Sequence, residues 1–265
     1  TETVNDLDGF VSNFWRALQD NPDAVAEYAD SPVNECDLHA KHSWLAERRD
    51  KLAARLEGDP EFYDAKIAGW WVWGICAWIG SGWCSGKGPW RSVEVAKGDR
   101  QLVHLGSAGQ GVNRQRVHLG PGANGMGWKH GDRLRKYFQA LADRLRSVRV
   151  CCGDWKRVCG PTQTVKLGLT AVFLDPPYPD TAGRDKEIYV MESLTVAHDV
   201  RAWALEHGDD LRLRIALCGY EGQHDMPESW SKLHWKARGG YGNRGNGDGN
   251  KNRHRETIWF SPACL

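Results

Sequence analysis

The 265-residue chain lacks any apolar run long enough to cross a bilayer. Its most apolar stretch, GWWVWGICAWIG, is too short and is broken by glycine. Nothing at its start resembles a secretory or transit segment, and its eight cysteines show no disulfide-framework spacing. We therefore expect reduced thiols, a cytoplasm-like compartment and no membrane partner.

A complete set of metal ligands is also missing. Cys36, His39 and His42 follow one another at three-residue spacing, but they lie in a predicted charged helix without a fourth ligand. We expect no metal site there. Internal repeats are absent as well.

Charge is present but strongly segregated, although the net charge is only +1. Residues 1–64 hold 15 Asp and Glu against 6 Lys and Arg, whereas residues 97–166 hold 4 against 14. A second basic segment contains Lys232, Lys236, Arg238, Arg244, Lys251, Arg253 and Arg255. Such segregation is typical either of a solvated face or of a groove that follows nucleic-acid phosphates.

Strand and helix patterns alternate along the chain. ETV predicts a strand, and Phe10, Phe14 and Leu18 predict the helix that follows it. Residues 37–58 predict one long charged helix that ends at glycine, and residues 61–78 predict another.

The later part of the chain continues the alternation. Its predicted elements are a helix over 134–145, strands at VRVCC and LTAVFLD, a helix over 192–207, and strands at LRIALCGY, KLHWKA and ETIWF. The LTAVFLD run is typical of a buried parallel strand. These patterns predict an α/β fold with a doubly wound sheet and a reversed, hairpin-like edge.

Two segments contain few apolar residues. Residues 80–131 are rich in glycine, arginine and asparagine, which indicates a loop-rich binding insertion. Residues 238–254 predict a loop between two antiparallel strands.

The stretch LDPPY ends the predicted buried strand with an acid, two prolines and a tyrosine. Ligands of open α/β sheets bind beyond the carboxyl ends of the strands, where Asp175 would lie. Pro176 and Pro177 restrict the backbone, so the acid and the carbonyls are held in place. Tyr178 adds a ring that can stack on a planar substrate. This group fits the exocyclic amine of a nucleobase.

A strand followed by Asp-Pro-Pro-Tyr resembles the catalytic motif of the S-adenosylmethionine-dependent Dam-type DNA adenine amino-methyltransferases, especially phage-borne members. The resemblance covers nearly the whole chain. It implies a Rossmann-like catalytic core formed by residues 1–35 and 147–265, a target-recognition insertion over 36–146, and Asp175, Pro176, Pro177 and Tyr178 as catalytic residues.

The same resemblance implies where S-adenosylmethionine binds. TVNDLDG is similar to the segment whose acid holds the ribose hydroxyls, which points to Asp6 with Asp8 as its neighbour. VCCGDWKRV is similar to the adenine-binding segment, which points to Asp154 and Trp155. Asp175 would contact the cofactor as well. Taken alone, an Asp before a helix, such as Asp6 or Asp8, is more often a helix cap or a turn residue, and the turn with Asp154 and Trp155 would be structural. The order and spacing of the three motifs together favour the cofactor site.

Double-stranded DNA is the implied partner, with a cognate restriction nuclease as a further one. WIGSGWCSGKGPW is similar to the segment that leads into the DNA-contacting loop, so Trp78, Trp83, Lys87 and Arg91 are candidate DNA contacts. The tryptophans over 70–73 fit the core better.

The family's glycine-rich cofactor loop, expected before the first acid, is not found in this sequence. Thr1 at the start favours a fragment of a longer reading frame, and a naturally truncated form is the alternative. A truncated form could be a DNA-binding remnant without activity.

Other amino-methyltransferases stay open as alternatives. RNA adenine methyltransferases use a four-residue motif of the same kind, whereas the motif of cytosine-N4 methyltransferases usually resembles Ser-Pro-Pro-Tyr. A cytosine-carbon methyltransferase needs a nucleophilic cysteine after a proline, and no Pro-Cys pair occurs. We expect methylation at N6 of an adenine turned out of the duplex.

Overall fold

The computed structural model describes residues 1–78, 83–84, 130–160, 166, 168–177, 195–235 and 255–264. The chain divides into two compact units, Thr1–Trp155 and Lys156–Leu265. The described part is a mixed α/β structure with seven α-helices and two small sheets, neither of which closes. The predicted α/β class is therefore confirmed.

The part of the first unit that the structure describes contains six helices and a two-stranded parallel sheet. Its elements are β1 Glu2–Asp6, α1 Gly9–Asp20, α2 Pro22–Ala29, α3 Glu35–Ala46, α4 Arg49–Gly58, α5 Ala65–Ala77, α6 His130–Leu145 and β2 Val148–Cys152. Glu2 lies opposite Val148, and Asp6 lies opposite Cys152. Residues 2–6 and 148–152, which are distant in the sequence, thus pair in one sheet. The assignment of 36–146 to target recognition stays a prediction.

Short polar side chains set where these helices begin. Asp8 accepts a hydrogen bond from the Phe10 amide at the start of α1, and Asp64 accepts one from Ile67 at the start of α5. Asn21 and Asn34 cap α2 and α3 in the same way. Each oxygen satisfies an amide that has no partner within its own helix.

The single helix predicted over 37–58 is wrong, because the chain breaks between α3 and α4. At the break the Arg48 amide donates to the Leu45 carbonyl, a tighter turn than the α-helical one. The Arg48 guanidinium also donates to the Trp44 carbonyl at 2.9 Å and lies 3.7 Å above the centre of the Trp44 ring. These local contacts stabilise the turn, and hydrophobic periodicity does not reveal them.

The core of the first unit is formed by two groups of buried side chains. One surrounds Trp73 and includes Phe10 of α1 and Leu45 of α3. The other joins α1, α2, α5 and α6 around Leu18 and Phe138. The fully buried Asn13 exchanges two hydrogen bonds of 2.9 Å with the backbone of Asp64, which fixes the start of α5 against α1.

In its described residues, the second unit contains a four-stranded sheet and one helix. Its elements are β3 Thr170–Leu174, α7 Val196–His207, β4 Leu213–Tyr220, β5 Ser231–His234 and β6 Glu256–Phe260. The strand order is β3-β4-β6-β5, with β3 parallel to β4 and β6 antiparallel to both of its neighbours. The predicted reversed edge is confirmed. Ala197, Val200 and Ala204 of α7 are buried, as are Leu213, Ile215 and Leu217 of β4.

Strand β3 is parallel as predicted, but its predicted burial is wrong. Phe173 is 66% exposed, and Leu169, just before the strand, is also exposed. Within the described part of the chain, β4 is the one ladder partner of β3. An edge position leaves side chains uncovered that a central position would bury, and composition alone does not distinguish the two.

Candidate functional site

Asp175 lies directly after β3, on the side of the sheet that holds the carboxyl ends of the parallel strands β3 and β4. Its side chain is exposed, whereas Pro176 is buried and Pro177 is half-buried. The buried proline fixes the backbone while the carboxylate stays accessible from solvent. Tyr178 lies outside the described residues.

Asp175 acts electrostatically on Cys218 of β4. Burial raises the pKa of the Cys218 thiol to about 12, and the negative charges of Asp175 and Glu256 add to that rise. The thiol is therefore protonated at neutral pH and is a poor nucleophile.

The turn after β4 closes tightly against the end of that strand. A Cβ added at Gly219 would lie 2.8 Å from the Cδ2 and Nε2 atoms of His224 and 3.2 Å from Oε1 of Gln223. Gln223 Oε1 also accepts the Tyr220 amide at 2.9 Å. Only glycine allows this approach, so Gly219 is a specific requirement of the site.

His224 is the most unusual polar group of this edge. The side chain is buried, and its ring contacts Trp259 edge to face at 5.2 Å between centroids. Burial lowers the pKa of His224 to about 4; the Cys218 carbonyl opposes the drop, and Arg201 and His198 of α7 add to it. Neither ring nitrogen meets hydrogen-bond geometry with a described residue. The ring is thus neutral at physiological pH.

Sequence reasoning did not single out Gly219, Gln223 or His224. The signal available was the segment CGYEGQH, in which the last three residues of a strand, with a glycine among them, lead into a polar turn. Only the three-dimensional arrangement shows that this turn folds back beside the end of β4.

A second polar edge occurs in the first unit, where β1 and β2 end. Asp6 Oδ1 accepts the Asp8 amide at 2.8 Å, and the Asp6 carbonyl accepts the Gly153 amide at 3.0 Å. The Asn5 side chain donates to the Gly153 carbonyl at 3.0 Å. Gly153 has a φ of 143°, which favours glycine at this turn. These contacts hold Asp6 next to the turn that carries Asp154 and Trp155.

The acids at this end of the first sheet differ in exposure, and burial shifts the pKa of two of them. Burial raises the pKa of Asp6, and it raises the pKa of Asp8 to about 6, helped by the Asp6 charge and opposed by the Phe10 amide and by Arg49. Asp154 is exposed and Trp155 is half-buried.

These residues fit the adenosine half of S-adenosylmethionine by their chemistry. A carboxylate can accept both hydroxyls of a ribose, and an indole beside it can cover an adenine ring. Asp6 thus lies beside the turn that carries Asp154 and Trp155, and their role in cofactor binding stays a prediction. Asp175 lies in the other unit.

Trp78 and Trp83 lie in the core of the first unit rather than on its surface. They are 5% and 7% exposed. Trp78 stacks on His42 with centroids 4.8 Å apart, and Trp83 donates from its indole nitrogen to the Trp71 carbonyl at 3.0 Å. Neither indole presents a face to solvent, so stacking on DNA would require them to leave this cluster. Trp73 is fully buried, as predicted.

The other candidate DNA contacts, Lys87 and Arg91, lie outside the described residues, as does the loop over 238–254. The described residues contain no group of three or more His, Cys, Asp or Glu that could hold a metal ion. His42 instead accepts the Cys84 amide at 3.2 Å. Among the described helices, none combines the length and apolar character that a membrane crossing requires.

Comparison with known proteins adds no relative. No protein-family model matches the chain, and no curated protein matches it.

Proposed function

We propose that the chain is an S-adenosylmethionine-dependent DNA methyltransferase that acts on the N6 amine of an adenine. The observation that carries this proposal is the position of Asp175: an accessible carboxylate, followed by a buried proline, just beyond the carboxyl end of β3 and beside its parallel neighbour β4. This is where open α/β sheets bind their ligands. We further propose that the strands belong to a doubly wound, Rossmann-like sheet.

The acidic edge of the first unit supports the cofactor assignment. Asp6 would hold the ribose hydroxyls, and Asp154 and Trp155 would bind the adenine. S-adenosylmethionine, when bound, supplies an electrophilic methyl group.

The residues of this chain would act by alignment and by hydrogen bonding. The adenine amine is a weak nucleophile because its lone pair is delocalised into the ring. Two hydrogen bonds from the amine, one to the Asp175 carboxylate and one to the Pro176 carbonyl, favour a pyramidal nitrogen whose lone pair is available.

One amine proton must leave once the N–C bond has formed. That proton becomes acidic only at that stage, so Asp175 can accept it without a raised pKa and, being exposed, can release it to solvent. The Cys218 thiol, protonated and buried, has no part in the transfer.

We expect Asp175→Asn to reduce methyl transfer about 100-fold or more, because an amide is a weaker acceptor and cannot take the proton. The assay follows labelled methyl groups into duplex DNA and identifies the product nucleoside by mass spectrometry. RNA and cytosine-containing substrates tested in parallel distinguish the alternative amino-methyltransferases.

The matched control is Asp209→Asn, an exposed acid near the start of β4, at the opposite sheet edge. It should leave the rate unchanged. Undiminished transfer by Asp175→Asn, or a wild-type protein that binds no S-adenosylmethionine in a calorimetric titration, would contradict the proposal.

A further inference from the structure

An exposed tryptophan lies at the same edge of the second sheet as Asp175. Trp235 follows β5 directly, and its amide donates to the Glu256 carbonyl at 3.0 Å. Glu256 in turn pairs with Tyr220 at the end of β4. The backbone of Trp235 is therefore fixed near the carboxyl end of β4, although the residue is 53% exposed.

The strand register shows that Trp235 lies farther along the strand direction than Asp175. Leu174 pairs with Leu217, and Cys218, Ile258 and Leu233 form the next row of the sheet, level with Asp175. Trp235 is two residues further on. With β4 and β6 between β3 and β5, Asp175 and Trp235 are roughly 15 Å apart along the edge. A ligand that bridges them must be larger than a single nucleoside.

Leu233 and Trp235 form a small apolar surface. They are two residues apart on an extended chain, so their side chains leave the same face, and Leu233 is likewise 53% exposed. Lys232 and His234 alternate with them and lie within 3.7 and 3.6 Å of Glu221. An indole that is exposed on an edge strand is costly to leave in water and is suited to a planar partner.

Charge indicates which planar partner fits. From Lys232 to Arg255 the sequence carries seven Lys and Arg against one Asp; five of the seven fall in 236–254, outside the described residues, and Lys232 lies 3.7 Å from Glu221. Positive charge repels cationic surfaces and attracts phosphates, and bases offer flat faces that stack on indoles irrespective of sequence. A nucleic acid meets both conditions.

We propose that Trp235 is a nucleic-acid contact, whose indole stacks on a base or sugar of the strand next to the substrate nucleotide. This inference rests on the proposed function and deepens it: it assigns a contact outside the segment that the sequence marks as the target-recognition insertion.

The test measures binding of labelled duplex DNA by fluorescence anisotropy over a range of salt concentrations. Trp235→Ala should bind about 5- to 100-fold more weakly, the loss that one stacked base implies. Trp235→Phe should keep most of the affinity. The slope of affinity against salt should be unchanged, because a stacking contact releases no counterion.

Leu211→Ala is the matched control. Leu211 is 78% exposed and lies before β4, at the opposite edge of the same sheet, so it should have no effect. Unchanged DNA affinity of Trp235→Ala, or a loss accompanied by a smaller salt slope, would overturn the inference and leave the proposed function standing. A wild-type protein that binds no DNA would overturn both.

Discussion

At the scale of single residues, His224 links the candidate site to the stability of the second unit. Its folded pKa of about 4 lies below the ordinary value near 6.5, so the fold favours the neutral ring. The stability that this preference contributes is complete above pH 6.5 and is lost as the pH falls towards 4. We expect about 1 to 2 kcal/mol to be lost between pH 7 and pH 5, less than the full shift would imply because pH 5 is still above the folded pKa of about 4.

Urea unfolding of the wild type and of His224→Gln at pH 7 and pH 5 checks this prediction. The variant has no ring to protonate, so its stability should depend less on pH. His39→Gln, which removes an exposed histidine from α3, serves as the control and should keep the wild-type pH dependence. Equal pH dependence in wild type and His224→Gln would show that the buried ring does not titrate as expected.

At the scale of elements, helix α5 depends on a glycine that lets a tryptophan approach. A Cβ added at Gly74 would lie 1.8 Å from Cζ2 of Trp83. Trp83 cannot move away freely, because its indole nitrogen is bonded to the Trp71 carbonyl and its ring contacts Trp78 and Trp73. Gly74→Ala should therefore destabilise the first unit by about 1 to 3 kcal/mol, the usual cost of overpacking a core.

Gly58→Ala provides the comparison for that experiment. Gly58 ends α4, and nothing lies within 4 Å of a Cβ built on it. Alanine there should be neutral or slightly stabilising, since it restricts the unfolded chain without a clash. Chemical unfolding monitored by tryptophan fluorescence separates the two variants. Similar stabilities for both would mean that the Trp83 cluster repacks at little cost.

Elements with a clear period could be predicted from the sequence, and those shaped by tertiary contacts could not. Strands β1, β2 and β4 and helix α1 lie where alternation or helical spacing indicates them. Contacts between distant residues set the remaining features. The edge position of β3 and the burial of Trp83 each depend on distant chain segments, so no local pattern shows whether Phe173 or Trp83 faces water.

The candidate site was predictable to a similar extent. Asp175 is marked by its prolines, and Asp6 by the turn that follows a strand. The His224 turn was missed because its role depends on folding back against Gly219, a contact that leaves no periodic signal.

At the scale of the whole molecule, we expect the two units to respond to acid in opposite directions. Burial holds the pKa of Asp8 near 6 in the first unit, above the unfolded value near 4. Stability from Asp8 is therefore present at low pH and is lost as the pH rises through 6. Asp6, whose pKa is also raised, acts in the same sense. His224 acts in the opposite sense in the second unit.

Acidification from pH 7 to pH 5 should thus raise the unfolding temperature of the first unit and lower that of the second, each by roughly 2 to 6 °C for about 1 kcal/mol. Calorimetry resolves the two transitions if the units unfold separately. Asp8→Asn, which keeps a good helix cap for α1, should reduce the shift of the first transition to the part that Asp6 contributes and leave the second unchanged. His224→Gln should reduce the shift of the second transition alone. Transitions that move together, unaffected by either variant, would show that these two buried groups do not control the acid response.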